Sequence, residues 1–308
     1  MGHFRMTMDL QDRFFGRGVP QLGGQIVANP HLADPPSFQL LFSTPLDLNA
    51  DALTLALRDY HQELATATAE LQSLSASSSN SPTLMGLIGW GRHAIKLVGS
   101  NFPLEKRRVM ACVQPSHYHP ELKQEAYGHV AHVILHYAGY EPDPLEQHVA
   151  LAATAAALAR FGALIVMNET ARNSIPAMVL EPHEEDGGDT LRAMRELPIP
   201  LLYAGFVVVE IEGQAGVWMR TYGCHALRLP DLAIRTEGHH QGSTILELFS
   251  NMLSYLRTSA KPFAPGDRMG IGEGLFFRFR ARTPDEWFLE SVGELLVVEQ
   301  IDSEEVNQ

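Results

Sequence analysis

The sequence predicts an α+β protein of two ferredoxin-like or related α/β sandwich subdomains with mixed or antiparallel sheets. Three observations support this class: a strand-helix-strand pattern over residues 129–167, a similar order from residue 38, and hairpin-like strands after residue 198. The 308 residues are 45% hydrophobic and 19% charged, as in a packed globular protein. The predicted division is an extended N-terminal arm (1–37), an N-terminal α/β subdomain (38–180) and a C-terminal α+β subdomain (181–308).

The first predicted strand is the apolar run Phe38–Phe42. Asn49 is a typical helix cap, and we expect a helix from there to about Leu71. Its core face is predicted by apolar residues at helical spacing, namely Leu53, Leu57, Tyr60, Leu64 and Leu71. The serine-rich segment 73–83 predicts a flexible loop, and residues 84–98 predict two strands broken at a Gly-Trp-Gly turn.

The middle of the chain has the clearest pattern. A helix after Pro103 is expected to carry Val109, Met110 and Val113 inward, and a second short helix begins after Pro120. Residues 129–137 predict a strand, Asp143 caps an Ala-rich helix that ends at Gly162, and residues 163–167 predict a buried strand. Together these segments predict a β-α-β unit.

The pattern changes after residue 180. Residues 181–189 predict an acidic surface loop. The apolar runs 202–212 and 217–222 flank a glycine-containing turn and predict a β-hairpin. We expect a helix over Ser243–Leu256 with Ser243 as its cap, and two last strands over residues 274–282 and 295–301.

Charge and cysteine content exclude several classes. The chain has 23 Lys and Arg against 36 Asp and Glu, a net charge of -13, so generic nucleic-acid binding is not expected. The longest apolar stretch, 149–159, is too short to span a bilayer, which predicts no membrane insertion. Cys112 and Cys224 form no disulfide framework, and the N-terminus lacks a continuous hydrophobic signal core. These features predict a cytoplasmic protein.

The 14 histidines raise the question of a metal site. In a strand, His132 and His136 share a face but lie about 13–14 Å apart, too far to hold one ion. An alternative set is His117, His119 and His129, from a Pro-bounded loop and the strand that follows it. No carboxylate has the spacing of a known zinc motif, so we predict neither a metal nor another cofactor.

Nucleophilic and phosphate-binding motifs are also missing from the sequence. There is no nucleophile-elbow pentapeptide, and Cys112 lies in a helical pattern typical of a small core residue. Cys224 and His225 are adjacent, so on a strand their side chains point to opposite faces. The glycine-rich segment 266–274 precedes a strand, whereas a dinucleotide-binding loop follows one. No catalytic residue is assigned.

The segment LFFRFRAR alternates aromatic residues with Arg278, Arg280 and Arg282. One face of this strand is therefore predicted to be apolar and the other to present three guanidinium groups. We predict that these arginines contact the carboxylates or phosphates of a partner. The alternative is a solvated strand face whose charges prevent edge-to-edge pairing.

Residues 217–234 contain Thr221-Tyr222-Gly223 followed by a Leu-Pro-Asp exit. This pattern, together with the β-α-β segment before it, resembles the bacterial domain of unknown function 4261 family over residues 129–300. The resemblance implies an intracellular bacterial protein, associated in some relatives with toxin immunity or secretion, and it carries over no catalytic residues. We add Arg220 and Tyr222 of this segment to the predicted partner-binding residues.

The sequence therefore favours a non-enzymatic interaction protein of the immunity, adaptor or secretion-accessory type, which binds a protein partner. It leaves open whether the chain also forms a homo-oligomer. The rival hypothesis is an enzyme or small-ligand-binding protein with a cleft between the two subdomains. Its cleft residues would be His129, His132, Glu169 and His225, with Tyr222 beside them and a divalent metal as an option.

Overall fold

The computed structural model describes residues 10–16, 26–74, 81–183, 188–259, 262–272 and 274–302. They form two compact units: the first contains the described residues up to Glu169 together with Ser174–Leu197, and the second contains Thr170–Asn173 and the described residues from Pro198 onward. Much of the predicted arm and parts of both predicted loops lie outside the described residues. Within the arm, residues 10–14 are helical, and Leu10 and Phe14 are buried.

The first unit is built on a seven-stranded sheet in the order β2-β3-β4-β5-β1-β6-β7, in which every recorded neighbouring pair is antiparallel. Its strands are β1 Ser37–Phe42, β2 Thr68–Ser73, β3 Leu84–Trp90, β4 His93–Ser100, β5 Ala131–Tyr137, β6 Ala163–Asn168 and β7 Asn173–Pro176. The predicted strand pair around the Gly-Trp-Gly turn is therefore confirmed.

Besides the helical residues 10–14, the described part of this unit contains α1 Ala50–Tyr60, α2 Lys106–Val113, α3 Pro120–Tyr127, α4 Pro144–Ala159 and α5 Thr190–Glu196. The central strands β4-β5-β1-β6 have the order and directions of a ferredoxin-like sheet. Strands β5 and β6 run parallel with β1 between them, and α4 connects them, so the predicted β-α-β unit is split by β1. The hairpin partners β2 and β3 extend the sheet at one edge.

Helices cover both faces of this sheet. On one face Phe38 of β1 contacts His148 of α4, with ring centroids 6.0 Å apart. On the other face Leu41 packs in a cluster with Val109, Cys112 and Val113 of α2. Nearly every residue of α4 is buried, which accounts for its alanine-rich sequence, because small side chains permit close approach to the sheet. Met110, predicted to face inward, is instead 40% exposed.

The helix predicted to reach Leu71 ends at Tyr60, so that prediction is wrong over its last eleven residues. Asn49 caps its start as expected, accepting hydrogen bonds from the backbone N–H groups of Asp51 and Ala52. His61 then adopts an extended conformation, with φ −161° and ψ 151°. Leu71 belongs to β2, where ladder pairing with β3 replaces the helical arrangement that its spacing suggested.

The second unit contains a six-stranded mixed sheet in the order β11-β12-β13-β10-β9-β8. Its strands are β8 Gly205–Val209, β9 Val217–Tyr222, β10 Asp231–Thr236, β11 Arg268–Ile271, β12 Leu275–Arg280 and β13 Leu295–Ile301. Only the pair β10 and β13 is parallel among the recorded pairs. One antiparallel and one mixed sheet confirm the predicted α+β class.

Two helices complete the second unit, α6 Ile199–Leu202 and α7 Gly242–Thr258. The predicted hairpin is confirmed as β8 and β9. Ser243 was expected to cap α7, but the helix begins at Gly242, and the residue at its cap position makes no capping bond through its side chain. None of the helices that the structure describes is long and apolar enough to cross a bilayer.

Candidate functional site

A buried polar network joins the two halves of the Thr-x-Gly and Leu-Pro-Asp pattern. Asp231, at the start of β10, is 1% exposed. One of its carboxylate oxygens accepts hydrogen bonds from the Thr221 hydroxyl at 3.3 Å and the Cys224 backbone N–H at 3.1 Å, and the other accepts from the Ser291 hydroxyl. The pattern therefore holds β9, β10 and the segment before β13 together.

Arg220 is fully buried beside this network. Its guanidinium lies 3.8 Å from the centre of the Tyr222 ring and donates to the backbone carbonyls of Thr221 and Glu290, while its Nη2 makes no hydrogen bond to any described residue. Burial lowers the pKa of Arg220, and the nearby Tyr222 and Asp231 oppose that shift. A partner cannot reach a side chain in this position, so we withdraw Arg220 from the predicted binding surface.

Tyr222 is half-buried, and Arg172 lies 4.3 Å from the centre of its ring. The glycine that follows has φ +85°, and a Cβ there would lie 2.8 Å from the Thr170 carbonyl oxygen. Gly223 is thus required by both backbone conformation and close packing. Cation–π contacts with Arg172 and Arg220 hold the Tyr222 ring in place, and the residue stays partly exposed.

Cys224 and His225 lie in a 3-10 turn and not on the strand that we expected. The Cys224 thiol is fully buried, and desolvation, followed by the charge of Asp231, raises its pKa well above its ordinary value. The Nδ1 atom of His225 is buried without a hydrogen-bond partner among the described residues. A thiol held neutral in this way is a poor nucleophile.

His129 and His132 belong to the first unit, and backbone groups engage both side chains. His129 donates from Nδ1 to the Ala126 carbonyl at 2.7 Å, and its Nε2 accepts from the Leu104 backbone N–H at 2.7 Å. His132 bonds the Phe102 carbonyl through Nδ1 at 2.8 Å. Burial lowers the pKa of both histidines. With both nitrogens in use, His129 has no lone pair free for a metal.

The other residues of the rival cleft and metal set are distributed as follows. Glu169, also in the first unit, forms a two-bond ion pair with Arg108 at 2.7 and 2.8 Å. His117 and His119 are exposed, and His119 caps α3, accepting from the Glu121 backbone N–H. Among the described residues no group of three or more His, Cys, Asp or Glu side chains is arranged to hold a metal ion.

The arginine-bearing strand is β12, and its alternation is as predicted. Phe277 and Phe279 are buried on one face, and Arg278 and Arg280 lie on the other. These two arginines are already paired: both bond Glu299 of β13, and Arg280 also bonds Glu286 through two hydrogen bonds of 2.7 and 2.8 Å. The bonds from Arg280 lower the pKa of Glu286. Arg282 lies beyond the strand and is exposed.

A groove of about 730 Å³ opens in the second unit where β10 and β13 separate. The two strands pair only from Asp231–Leu295 to Ala233–Val297, although β10 continues to Thr236 and β13 to Ile301. The groove is lined by residues from both continuations, 234–237 and 297–300. Its walls also carry charged and aromatic side chains, namely Trp218, Arg235, Glu237, Arg280, Glu286 and Glu299.

Trp287 stands next to the groove-lining residue Glu286 and is 71% exposed. Its ring contacts Phe288, which in turn contacts Trp218 of the groove wall. Val292, 89% exposed, follows in the same segment. We use the term groove surface for the groove together with Trp287. Sequence reasoning missed this surface, although a tryptophan inside the polar segment TPDEWFLE was a usable signal.

No protein-family model, curated protein or solved structure matches this chain, so the resemblance to the domain of unknown function 4261 family stays a hypothesis.

Proposed function

We propose that the chain is a non-enzymatic interaction protein of the immunity, adaptor or secretion-accessory type, and that its second unit binds a protein partner through the groove surface. The observation that carries this proposal is the exposed Trp287 beside an open, charged groove. Tryptophan and arginine are enriched at the residues that contribute most to protein–protein binding. A tryptophan ring left 71% exposed is a ready anchor for a partner.

Electrostatics change the kind of partner that we propose. The three-arginine strand suggested an acidic partner, but Glu286 and Glu299 already neutralise Arg278 and Arg280. The groove walls carry three carboxylates and two guanidinium groups, and the whole chain has a net charge of -13. Charge complementarity therefore supports a partner with a basic contact region.

The bonding of the rival cleft residues also supports an interaction role. His129 uses both ring nitrogens on backbone groups, and Glu169 is held by Arg108. These side chains stabilise the first unit, and none of them is poised as a base or a ligand in the conformation observed.

Site-specific photo-crosslinking tests this proposal. A benzophenone amino acid placed at exposed position 285, two residues from Trp287, should crosslink one protein in the source cell, and adding Trp287→Ala should abolish that product. The matched control places the crosslinker at position 255, where Tyr255 is 54% exposed on α7. The proposal fails if position 285 gives no product, or if its products equal those from position 255.

A further inference from the structure

The groove exposes the edges of two strands in addition to part of a sheet face, which is lined by Trp218 of β9 and Arg280 of β12. Successive residues of a strand point to opposite faces of its sheet, so a pocket on one face is lined by alternate residues. Here four consecutive residues of each chain segment, 234–237 and 297–300, line the same groove. That pattern arises when the groove runs along the edges of the two strands.

Hydrogen bonds show which backbone groups point into the groove. The Asp231 N–H donates to the Glu294 carbonyl on the β13 side at 2.8 Å, and the Leu232 N–H donates to Thr221 on the β9 side at 2.8 Å. Backbone groups of successive strand residues point to opposite edges. Ala233 and Arg235 therefore direct their N–H and C=O toward β13.

The parallel pairing of β10 with β13 ends at Ala233, two residues before Arg235. By the same alternation on β13, the Glu294 carbonyl faces β10, and so do the backbone groups of Val298 and Gln300. Val298 is buried beside the last ladder pair, whereas Gln300 is exposed. Within the described part of the chain, the ladder pairs no residue of β10 after Ala233 with β13. The groove is thus bounded by two strand edges that have backbone donors and acceptors directed into it.

We propose that an extended segment of the protein partner enters this groove and adds as a β-strand, with a Lys or Arg side chain that meets Glu237. Strand addition supplies affinity through the main chain, and pockets for alternate side chains supply specificity. Glu237 is exposed and forms no ion pair with a described residue, whereas Glu286 and Glu299 share Arg280. This inference rests on the proposed function and specifies how the partner binds.

The test uses the full chain and a display library of random nine-residue peptides as the probe. The best-binding peptide is synthesised with an N-methyl group at each position in turn. Strand addition predicts losses of about tenfold in affinity at alternate positions and little loss between them, because every second N–H bonds the groove edge. No selectable peptide, or losses without period two, would overturn the proposal.

A matched pair of variants tests the protein side. Because the Arg235 N–H points away from β9, Arg235→Pro removes a groove donor without removing a β9 ladder bond. Arg235→Ala removes the same side chain and keeps the N–H. We expect Arg235→Pro to bind the peptide about tenfold more weakly than Arg235→Ala. Equal binding by the two variants would contradict strand addition, and the peptide scan gives the answer should the proline variant misfold.

A separate experiment tests the proposed contact between Glu237 and a basic residue of the peptide. Replacing the basic residue of the selected peptide with Gln should weaken binding to the natural chain but not to Glu237→Gln. The two proposals can fail separately. If position 285 still gives crosslinks but the N-methyl scan shows no losses at alternate peptide positions, strand addition is overturned and the proposed function stands. Loss of the crosslinks would overturn both.

Discussion

Asp231 is a buried carboxylate whose role is to organise backbone and hydroxyl groups. It accepts hydrogen bonds from Thr221, Cys224 and Ser291. Its negative charge also raises the pKa of the fully buried Arg220, against the effect of burial. Such a residue does not contact a partner, yet the conformation of β9, β10 and residues 290–293 depends on it. The aspartate of the Leu-Pro-Asp motif therefore has a structural role.

We predict that Asp231→Ala destabilises the protein by about 3 kcal/mol, because it leaves buried donors unsatisfied and removes a negative charge near the buried Arg220. Urea unfolding followed by tryptophan fluorescence measures this loss. The control is Asp47→Ala, since Asp47 is exposed, and it should change stability by less than about 0.5 kcal/mol. Similar effects of the two substitutions would refute a structural role for Asp231.

His148 predicts a pH dependence of stability. It is 1% exposed in α4, and burial lowers its pKa from 6.5 to about 4. The unfolded chain takes up a proton at this histidine below pH 6.5 while the folded chain does not. Its contribution to stability is therefore complete above pH 6.5 and is lost as the pH falls toward 4.

When the pH falls from 7 to 5, this histidine alone should lower the free energy of unfolding by about 2 kcal/mol. Other buried histidines with lowered pKa values, such as His132, act in the same direction. His148→Asn should reduce the difference between urea unfolding curves at the two pH values. His31→Asn, at an exposed site, should leave the difference unchanged. A natural chain that is equally stable at both pH values would contradict this prediction.

At the scale of elements, the β8–β9 hairpin contains two glycines with the same φ of +79° but different surroundings. A Cβ at Gly216 would lie 2.4 Å from the Thr236 carbonyl oxygen, while a Cβ at Gly213 would have no atom within 4 Å. Both positions disfavour a side chain through backbone strain. Only Gly216 is also required by packing against β10.

Gly213→Ala should therefore cost about 1 kcal/mol, the strain of the left-handed conformation. Gly216→Ala should cost about 3 kcal/mol, because β10 must also move. Thermal unfolding of the two variants measures the difference. Equal losses would show that close approach to Thr236 is not important.

Elements with strong local signals could be predicted from the sequence. Asn49 and Asp143 mark helix starts that the structure confirms, and the β-branched run before Tyr137 is a strand. The helix predicted to end at Gly162 ends at Ala159, and Gly162 adopts a positive φ in the turn that follows. Leu71 was assigned to a helix because its spacing continued an apolar stripe. Pairing with β3 decides its conformation, and such long-range pairing leaves no signal in the local pattern.

The same limit applies to the strand Arg268–Ile271, which lies in the glycine-rich segment 266–274, where no strand was predicted. It pairs with β12, and Met269 lies opposite Phe277 in that ladder. Neighbouring strands therefore supplied information that composition could not.

At the scale of the whole molecule, the candidate site was predicted only in part. The alternation of Arg278 and Arg280 with buried phenylalanines is confirmed, but their carboxylate partners lie 6 to 21 residues away in sequence. Pairing of β12 with β13 places Arg278 opposite Glu299. The net charge of -13 thus includes carboxylates that neutralise the basic strand from within the fold.

The groove itself could not be predicted, because it arises where two strands distant in sequence separate after Ala233–Val297. Secondary-structure patterns predicted β13 but not β10, and they do not show the point at which pairing stops. The polar residues before Trp287 gave a local signal, and the fold shows that Trp287 is exposed while Trp218 is buried. The groove surface is therefore a property of the assembled second unit.

The affinity of the crosslinked partner for Trp287→Ala tests the interaction surface most directly. Calorimetric titration should show binding about thirtyfold weaker than to the natural chain, as expected when a central aromatic anchor is removed. Tyr255→Ala, an equally simple truncation of an exposed aromatic residue on α7, should bind with unchanged affinity. Unchanged affinity of Trp287→Ala, or equal losses in the two variants, would contradict a binding surface at Trp287.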